Sequence, residues 1–217
     1  MKSTQIRGGL LEQRKDLLLL HRQMKGVIRA RLNDFRTVPP EQYFYELAYC
    51  LMTPQSSAEH ADRVAANLQS LRFAETGFNP EPLLRQADQY IRFHKTKARH
   101  LLKARGEFAD IAQAVLNGHG STLLRDWLVG HVKGLGLKEA THFLRNIGKS
   151  HGLAILDRHI IRNLKRYGAI RSVPQSLTRK RYLSIERKFL SFADSIGIPP
   201  DELDLLFWSM ETGEIRK

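Results

Sequence analysis

Apolar residues recur every three or four positions along most of the chain, which is the spacing of one face of an α-helix. The first such stripe lies among Arg and Lys residues and consists of Leu10, Leu11, Leu17, Leu18, Met24 and Ile28. The sequence contains no alternating stretch long enough for a strand and no convincing internal repeat. The pattern therefore predicts an all-α protein.

Prolines divide this helical pattern into segments. Pro39-Pro40 end the first helix, and Thr53-Pro54 interrupt the second, because proline is tolerated only in a first helical turn. Ser56 or Ser57 can cap the helix that follows. The helices predicted beyond the first are 41–52, 58–71, 80–93, 95–105, 106–117, 121–129, 138–147, one between Asp157 and Gly168, 175–192 and 202–210.

Composition is that of a basic globular protein. The 217 residues can bury one large core or two small ones, and 42% hydrophobic and 26% charged residues are ordinary values for a folded domain. The net charge of +13, with a pI near 10.1, is not ordinary. Nucleic acid is the commonest partner of such a positive field, although a basic protein without that partner is the alternative.

Cysteine content and hydropathy exclude several classes of protein. Cys50 is the sole cysteine, so neither an internal disulfide nor a four-cysteine zinc or iron–sulfur site can form. Within the apolar run 44–52 it is expected to be a small buried residue. The apolar run 17–20 is too short for a membrane span or a signal peptide. We expect a cytoplasmic, nucleoid-associated protein with no membrane partner.

The segment Val132-Lys133-Gly134-Leu-Gly136 is a short turn between two predicted helices. Two glycines flanking an apolar residue can direct successive backbone N–H groups outward at a helix N-terminus, which binds phosphate without reading base sequence. A purely structural turn is the alternative. Because the protein is strongly basic, we predict that Lys133, Gly134 and Gly136 contact the DNA backbone.

Lys138 stands two residues after this turn, at the start of the next helix, and is a candidate amine nucleophile. A lysine that only contacts phosphate or water is the alternative. Attack needs the neutral amine, whereas the reference pKa is about 10.4. A helix N-terminus contributes about 0.3–1 kcal/mol and burial up to about 3–5 pKa units, so burial must supply most of the activation.

Asp157 follows Lys138 by nineteen positions and opens another predicted helix. One role is an N-cap, worth about 1 kcal/mol. The other is to stabilise positive charge that develops on a sugar ring, or to relay a proton. Contact with Lys138 would raise the lysine pKa and oppose attack. The two roles of Asp157 are compatible.

Several motifs together resemble a known group of enzymes. The hairpin, Lys138 and Asp157 resemble the helix-hairpin-helix–Gly/Pro–Asp superfamily of DNA glycosylases, and the chain as a whole resembles its type 2 8-oxoguanine DNA glycosylase/AP lyases. The motifs that carry this narrower likeness are Cys50-Leu-Met-Thr-Pro-Gln55-Ser-Ser, Ile91-Arg-Phe-His94-x-x-Lys97-Ala, Val132 to Gly148, Leu156-Asp157-Arg-His, Asp204-Leu-Leu-Phe-Trp208 and the terminal Lys217.

The resemblance implies an architecture and a reaction. Residues 40–147 would form one helical subdomain ending in the helix-hairpin-helix, and 1–39 with 148–217 would form a second. DNA would bind in the cleft between them, with Lys138 and Asp157 facing each other across it. A damaged guanine is flipped out, Lys138 attacks the sugar C1′, and the resulting Schiff base permits β-elimination.

The resemblance also implies the partners and the base-recognition residues. The substrate would be double-stranded DNA containing 8-oxoguanine or abasic sites. The oligomeric state stays open at the level of sequence, with a monomer as the default expectation. No cofactor or metal would be required, and the hairpin carbonyls are a candidate site for a monovalent cation. Trp208, Lys217 and Phe93 would hold the flipped base, and Gln55 would fill the gap it leaves. Read without the resemblance, Trp208 and Phe93 suggest core, and Lys217 suggests a frayed tail.

The chain departs from the superfamily pattern at two places. Lys133 stands where proline is frequent, and the stretch 148–156 before Asp157 contains glycines but no proline. Neither departure removes a reactive group. The missing cysteines exclude the branch that carries an iron–sulfur cluster. Two basic stretches are interpreted as partly phosphate-binding surface, namely Arg92, Lys95, Lys97, Arg99, Lys103 and Arg105, and Arg162, Lys165 and Arg166.

Two alternatives remain at the level of sequence. One is a helix-hairpin-helix glycosylase/AP lyase of different base specificity, which would not need Trp208 and Lys217 for 8-oxoguanine recognition. The other is a non-catalytic DNA-binding module, which would need neither Lys138 nor Asp157.

Overall fold

The computed structural model describes residues 2–215, with side chains from residue 10 onward, and these residues form helices and no β-strand. The all-α prediction is confirmed. The helices are α1 (Lys2–Arg36), α2 (Tyr43–Met52), α3 (Ala58–Ser70), α4 (Phe73–Thr76), α5 (Glu81–Leu84), α6 (His94–Gly106), α7 (Phe108–Leu116), α8 (Ser121–His131), α9 (Leu137–Asn146), α10 (Arg158–Arg166), α11 (Arg179–Ile196) and α12 (Pro200–Thr212). None within the described range has both the length and the apolar composition to cross a membrane.

The chain divides into two compact units. The central unit is Thr37–Lys149. The terminal unit combines the segment up to Arg36 with the segment from Ser150 onward. The helical hairpin therefore lies in the central unit, and Asp157 lies in the terminal unit.

Helix α2 forms the core of the central unit. Nine of its ten residues are buried, with Tyr45 the exception, and it packs against α3, α6 and α9. Glu46 and Asn146 join α2 to α9 through a buried hydrogen bond of 2.9 Å from Asn146 Nδ2 to Glu46 Oε2. Burial raises the pKa of Cys50 well above its ordinary value, as expected for a structural thiol.

The single helix predicted over 80–93 is wrong. Helix α5 ends at Leu84, and Ala87–Gln89 form one 3₁₀ turn before α6. The Gln89 side chain is the physical reason, because it is 1% exposed and its amide needs partners. It donates to Gln86 Oε1 at 2.6 Å and accepts from Asn67 Nδ2 at 2.8 Å. These partners fix the chain in a turn.

Helix α1 packs along α12 in the terminal unit. Leu17 and Ile28 are buried as the apolar stripe predicted, whereas Leu11 is 62% exposed. The carboxylate of Glu202 in α12 contacts two polar side chains of α1. His21 Nε2 lies 2.6 Å from Glu202 Oε2, and Arg29 Nε lies 2.8 Å from Glu202 Oε1. Burial alone would raise the pKa of Glu202, but hydrogen bonds from Arg29 and His21 outweigh burial and lower it.

Helix α11 also differs from its prediction, which was 175–192. It starts at Arg179 because the Thr178 hydroxyl accepts from the Arg181 backbone N–H at 3.4 Å, and it continues to Ile196. Its buried face packs on α12, where the Phe192 and Phe207 rings lie 6.4 Å apart.

Candidate active site

Helices α8 and α9 with the turn between them form the predicted helix-hairpin-helix. Val132 and Leu135 anchor the turn, since they are 2% and 5% exposed. The Leu135 N–H donates to the Val132 carbonyl at 3.2 Å, which closes the turn. Lys133 and Gly134 lie between these anchors and are exposed to solvent.

Gly134 is required at its position by two separate constraints. Its φ is +93°, a conformation that side chains rarely adopt, and a Cβ there would lie 2.2 Å from His100 Nδ1. The His100 ring of α6 therefore packs directly on the hairpin backbone. Burial, with the charges of Lys133 and Arg99, lowers the pKa of His100. No motif in the sequence signalled His100.

Gly136 precedes α9 and leaves room for a carboxylate. A Cβ at Gly136 would lie 2.9 Å from Glu139 Oε2. The first turn of α9 has backbone N–H groups without intrahelical acceptors, and no side chain caps it at Gly136. This end of α9 is consequently suited to bind a phosphate.

Lys138 is the second residue of α9, and its side chain is 29% exposed. Its Nζ lies 3.1 Å from Glu139 Oε1. Sequence reasoning did not single out Glu139, although adjacent lysine and glutamate in a first helical turn were visible. Lys138 is thus a partly exposed amine with a carboxylate beside it.

Lys97 was predicted to be a surface residue, and this is wrong. It is 5% exposed. Its Nζ donates to the carbonyl oxygens of Met52 and Pro54, both at 2.6 Å, and to Ser56 Oγ at 3.0 Å. Burial and the nearby charge of Lys138 lower the pKa of Lys97 to about 8.

Arg105 likewise faces the protein. Its guanidinium donates to the carbonyl oxygens of Phe73, Ala74 and Glu75 at 3.2, 2.9 and 2.7 Å. The other four residues of that basic stretch are exposed, and so are the three of the second stretch: Arg92, Lys95, Arg99, Lys103, Arg162, Lys165 and Arg166. The predicted phosphate-binding surface is smaller by two residues.

Gln55 and Phe93 both have left-handed backbone conformations, with φ of 57° and 62°. Among the described non-glycine residues only Arg72 shares this feature. Such conformations cost about 1–3 kcal/mol and cluster at functional sites. Ser56 joins the two segments, because its Oγ accepts from the Arg92 backbone N–H at 3.0 Å as well as from Lys97.

Phe93 is 50% exposed, so the alternative that placed it in the core is wrong. The Arg92 guanidinium lies 4.9 Å from the centre of its ring, a cation–π contact that covers one face. Gln55 is also exposed. The central unit therefore presents an aromatic ring and an amide on two segments joined by Ser56.

Asp157 is the N-cap of α10, as predicted. Its Oδ1 accepts from the backbone N–H groups of His159 and Ile160, both at 2.8 Å. Among the side chains of residues 10–215, none forms a hydrogen bond or ion pair with its Oδ2. One oxygen thus fixes the carboxylate to the helix, and the other is available to a substrate.

The buried segment 153–156, which leads to Asp157, is held by α11. The Tyr182 hydroxyl donates to the Ala154 carbonyl at 2.6 Å and accepts from the Leu156 N–H at 3.2 Å. Glu186 Oε1 accepts from the Ala154 N–H at 3.0 Å. These contacts restrain a segment that lacks proline. Sequence reasoning missed Tyr182 and Glu186, because nothing local relates them to Asp157.

Trp208 is only partly buried, whereas its neighbours Leu206 and Phe207 are 0% exposed. Its helix α12 is connected to α10 near Asp157, since Glu211 lies 3.5 Å from His159 Nδ1 and 3.3 Å from Asn163 Nδ2. Lys217 lies outside the described residues. No cluster of three His, Cys, Asp or Glu residues able to hold a metal occurs in the part of the chain that the structure describes.

These features support a definite kind of chemistry. The central unit carries a turn suited to bind an anion, followed by an amine, and the terminal unit carries a helix-capping carboxylate and a partly exposed indole. An amine and a carboxylate can catalyse displacement at a sugar carbon through a covalent intermediate.

Comparison with known proteins identifies the family. A family model described as 8-oxoguanine DNA glycosylase matches residues 28–198. An 8-oxoguanine DNA glycosylase/AP lyase of Fusobacterium nucleatum is 34% identical over 207 residues, covering 91% of this chain and 94% of that protein. The enzyme of the same name from Korarchaeum cryptofilum is 37% identical over 196 residues, covering 90% and 92%.

Solved structures agree with the sequence comparisons. The 8-oxoguanine glycosylase/lyase of Methanocaldococcus jannaschii, in complex with a 15mer DNA containing 8-oxoguanine, superposes with a TM-score of 0.85 at 30% identity, covering 95% of this chain and 100% of that one. The 8-oxoguanine DNA glycosylase of Thermotoga maritima gives 0.82 at 30% identity, covering 96% and 100%. The chain therefore belongs to the 8-oxoguanine DNA glycosylase family.

Proposed function

We propose that this protein excises 8-oxoguanine from double-stranded DNA and then cleaves the abasic site by β-elimination through a Schiff base on Lys138. The observation that carries this proposal is the placement of Lys138 in the first turn of α9, directly after the anion-binding turn. A residue there can reach the sugar of a nucleotide whose phosphate is bound by the hairpin. The activity named for the relatives is the same.

Binding begins with the DNA backbone. The N–H groups at the start of α9 and around Gly134 donate hydrogen bonds to phosphate oxygens, and Lys133 adds positive charge. Neither contact reads base sequence, so the protein can bind wherever a lesion occurs. Substrate is double-stranded DNA containing 8-oxoguanine or an abasic site.

Recognition follows extrusion of the damaged base. Phe93 and Trp208 offer aromatic faces, and the terminal Lys217 offers a charged donor for the base edge. Gln55 enters the space that the base leaves in the stack. The left-handed backbone at Gln55 and Phe93 supports these roles, because strain of this kind persists where a side chain must be presented in one direction.

Base excision requires a neutral amine at Lys138. When bound DNA excludes water, the ammonium proton can pass to Glu139, whose Oε1 is 3.1 Å away. The amine then attacks C1′, and the bond from C1′ to the base breaks with its electrons leaving on the base. Asp157 Oδ2 stabilises the positive charge that develops on the sugar.

Strand cleavage uses the product of that step. The covalent N,O-acetal opens to an iminium ion as its C1′–O4′ bond breaks and O4′ takes up the proton that passed to Glu139, and the iminium acidifies the proton on C2′. Loss of that proton expels the 3′ phosphate, and water then releases the unsaturated sugar from Lys138. Every group in this sequence comes from protein, DNA or water, so the proposed reaction needs no cofactor. The proposed state is a monomer in the cytoplasm, associated with the nucleoid.

Single-turnover assays on two duplexes test this function. One duplex contains 8-oxoguanine and the other a preformed abasic site. We expect free 8-oxoguanine and a nicked strand from the first and a nicked strand from the second. An abasic site that is nicked while 8-oxoguanine stays in place would contradict the proposed base specificity. An intact strand in both duplexes would contradict the proposed enzymatic activity.

A further inference from the structure

The terminal unit contains a long groove on one face of α11. Cavities of about 680 Å³ and about 460 Å³ adjoin there and share Ala169, Ser184 and Lys188. One wall is the loop 168–175 that follows α10, and the other is α11. We call this feature the α11 groove. Five basic residues line it: Arg14, Arg171, Arg181, Arg187 and Lys188.

The described lining of the α11 groove carries positive charge without an acidic residue beside it. None of its described lining residues is Asp or Glu. Within residues 10–215, Arg171, Arg187 and Lys188 form no ion pair with a carboxylate. Uncompensated cations in a concave surface concentrate positive potential and attract anions.

The start of α11 breaks a general rule of helix composition. Its first three residues are Arg179, Lys180 and Arg181, and its first turn contains no acidic residue. Cations at a helix N-terminus are disfavoured by about 0.3–1 kcal/mol each, because the helix dipole is positive there. An unfavourable arrangement of this kind is expected where function compensates for it. Of these three residues Arg181 lines the groove, and an anion bound there would offset its charge.

The shape of the groove indicates a polymer. Its α11 lining repeats every three or four residues and consists of Arg181, Ser184, Ile185, Arg187, Lys188, Ser191, Phe192 and Ser195. From Arg181 to Ser195 this face extends for about 21 Å at about 1.5 Å per residue. Each strand of a DNA duplex carries one phosphate per about 3.4 Å of duplex axis, so a face of this length can contact several phosphates of one strand. Arginine, lysine and serine are residues that bind phosphate oxygens.

The groove is separate from the proposed reaction site. Asp157 caps the N-terminus of α10, whereas the groove begins at Gly168, beyond the C-terminus of that helix. The nine residues of α10 place about 14 Å between these two ends. DNA whose reacting nucleotide is at Asp157 therefore leaves the α11 groove to other phosphates.

We propose that the α11 groove is a second DNA-binding site, which takes the phosphodiester backbone of DNA outside the reacting nucleotide. This inference rests on the proposed function only in assuming that the reaction site is occupied by a damaged nucleotide. A protein with two backbone sites can hold a second DNA segment before it releases the first, which promotes transfer between segments during a search.

The experiment occupies the reaction site and then offers a second DNA. Borohydride would link the protein to a short lesion duplex of about one helical turn, about ten base pairs. Fluorescence anisotropy would then measure binding of a labelled, lesion-free duplex of about thirty base pairs to the linked complex. The groove variant is Arg181→Gln with Lys188→Gln. The matched control is Arg22→Gln with Lys25→Gln, which removes the same charge from α1 and lines neither cavity.

We expect the linked wild-type complex to bind the second duplex, and the groove variant to bind it at least tenfold more weakly than the control. The negative slope of log K against log salt should become less steep by about 1.8 in the groove variant, since each lost phosphate contact removes about 0.9. Absence of binding by the wild-type complex, or equal binding by groove and control variants, would overturn the proposal.

Failure of the linking reaction would count against the proposed function and not against the groove. In that case the proposal is tested by the affinity of the free protein for the lesion-free duplex, compared between the groove variant and the control variant. Arg181 and Lys188 are exposed, so both substitutions are compatible with the fold, and a thermal melt of each variant verifies this.

Discussion

The buried ammonium of Lys97 donates a hydrogen bond of 2.6 Å to the carbonyl oxygen of Pro54, the residue immediately before Gln55. The same nitrogen donates to the Met52 carbonyl and to Ser56 Oγ. One cation thus holds both sides of the turn that presents Gln55. Ser56 Oγ also accepts from the backbone N–H of Arg92, the residue before Phe93. The Lys97 ammonium therefore determines the position of Gln55 and Phe93, the two proposed DNA-contacting residues.

Replacing Lys97 with methionine should therefore impair recognition more than chemistry. Removal of the ammonium leaves carbonyl oxygens of the turn without donors, at about 1–3 kcal/mol each, and frees Gln55 and Phe93 to move. We expect single-turnover excision of 8-oxoguanine to fall at least tenfold relative to cleavage of a preformed abasic site, since small displacements have large effects on rate. Rates on the two duplexes measure this.

Lys95→Met is the matched control for Lys97→Met, because Lys95 is an exposed lysine of the same helix. It should leave the ratio of the two rates unchanged. An equal loss on both substrates by Lys97→Met, at equal folded fraction, would show that Lys97 only stabilises the central unit.

The pKa of Lys97 also predicts how stability depends on pH. It is about 8 in the folded protein and about 10.4 in an unfolded chain. Between these values the unfolded state binds the proton and the folded state does not, so the free energy of unfolding rises with pH by at most about 1.4 kcal/mol per unit. Urea unfolding at several pH values measures this rise, which should be absent in Lys97→Met.

Cys50 and Tyr49 act in the opposite direction, so the rise due to Lys97 is measured as the difference between wild type and Lys97→Met, in which their effects cancel. Burial raises the pKa of Cys50, so above the ordinary thiol pKa of about 8.5 the unfolded state loses a proton that the folded state keeps. Burial raises the pKa of Tyr49, so above its ordinary value the unfolded state loses a proton that the folded state keeps. This effect lowers stability with increasing pH. A wild-type curve parallel to that of Lys97→Met between pH 8 and 10 would contradict the assignment of the rise to Lys97.

Gly134→Ala should disrupt the hairpin. The alanine Cβ would meet His100 Nδ1 at 2.2 Å, and the backbone φ of +93° disfavours any side chain. We expect loss of DNA affinity by at least tenfold together with a lower melting temperature. Gly130→Ala is the control, because nothing lies within 4 Å of its Cβ and Gly130 is helical, where alanine stabilises by about 0.5–1 kcal/mol. Similar DNA affinities for the two variants would refute the requirement for glycine at position 134.

Substitutions at Asp157 separate its cap from its catalytic role. Asparagine keeps an oxygen that accepts from the His159 and Ile160 N–H groups, so Asp157→Asn should lose little stability. It lacks the negative charge, so base excision should slow at least a hundredfold. Asp157→Ala should lose activity and also about 1–2 kcal/mol of stability. Thermal melts and excision rates measure the two effects. A fully active Asp157→Asn would show that Asp157 acts only as an N-cap.

Regular local patterns in the sequence were sufficient to predict much of the fold. The stripe of Ala140, Phe143 and Leu144 predicted α9, and these residues are buried. The turn at Gly134 and the cap at Asp157 depend on neighbours a few positions away, so their chemistry could be read directly. The break in the predicted helix 80–93 could not, because it depends on a hydrogen bond from Asn67 to Gln89.

The interior polar contacts of the site were also beyond the sequence. A lysine is normally expected at the protein surface, and the acceptors that hold Lys97 inside are 41 to 45 positions away in the chain. Tyr182 restrains the segment before Asp157 from 26 to 28 positions away. Whether a cation or a hydroxyl turns inward depends on acceptors that only the tertiary fold brings together.

Borohydride trapping on a duplex with one 8-oxoguanine is the most direct test of Lys138 as the nucleophile. Reduction of the Schiff base would join protein to DNA covalently, and Lys138→Gln is the control. The expected result is an adduct that requires both the lesion and Lys138. An adduct that persists in Lys138→Gln, or an absence of adduct on both 8-oxoguanine and abasic duplexes, would contradict the proposed mechanism.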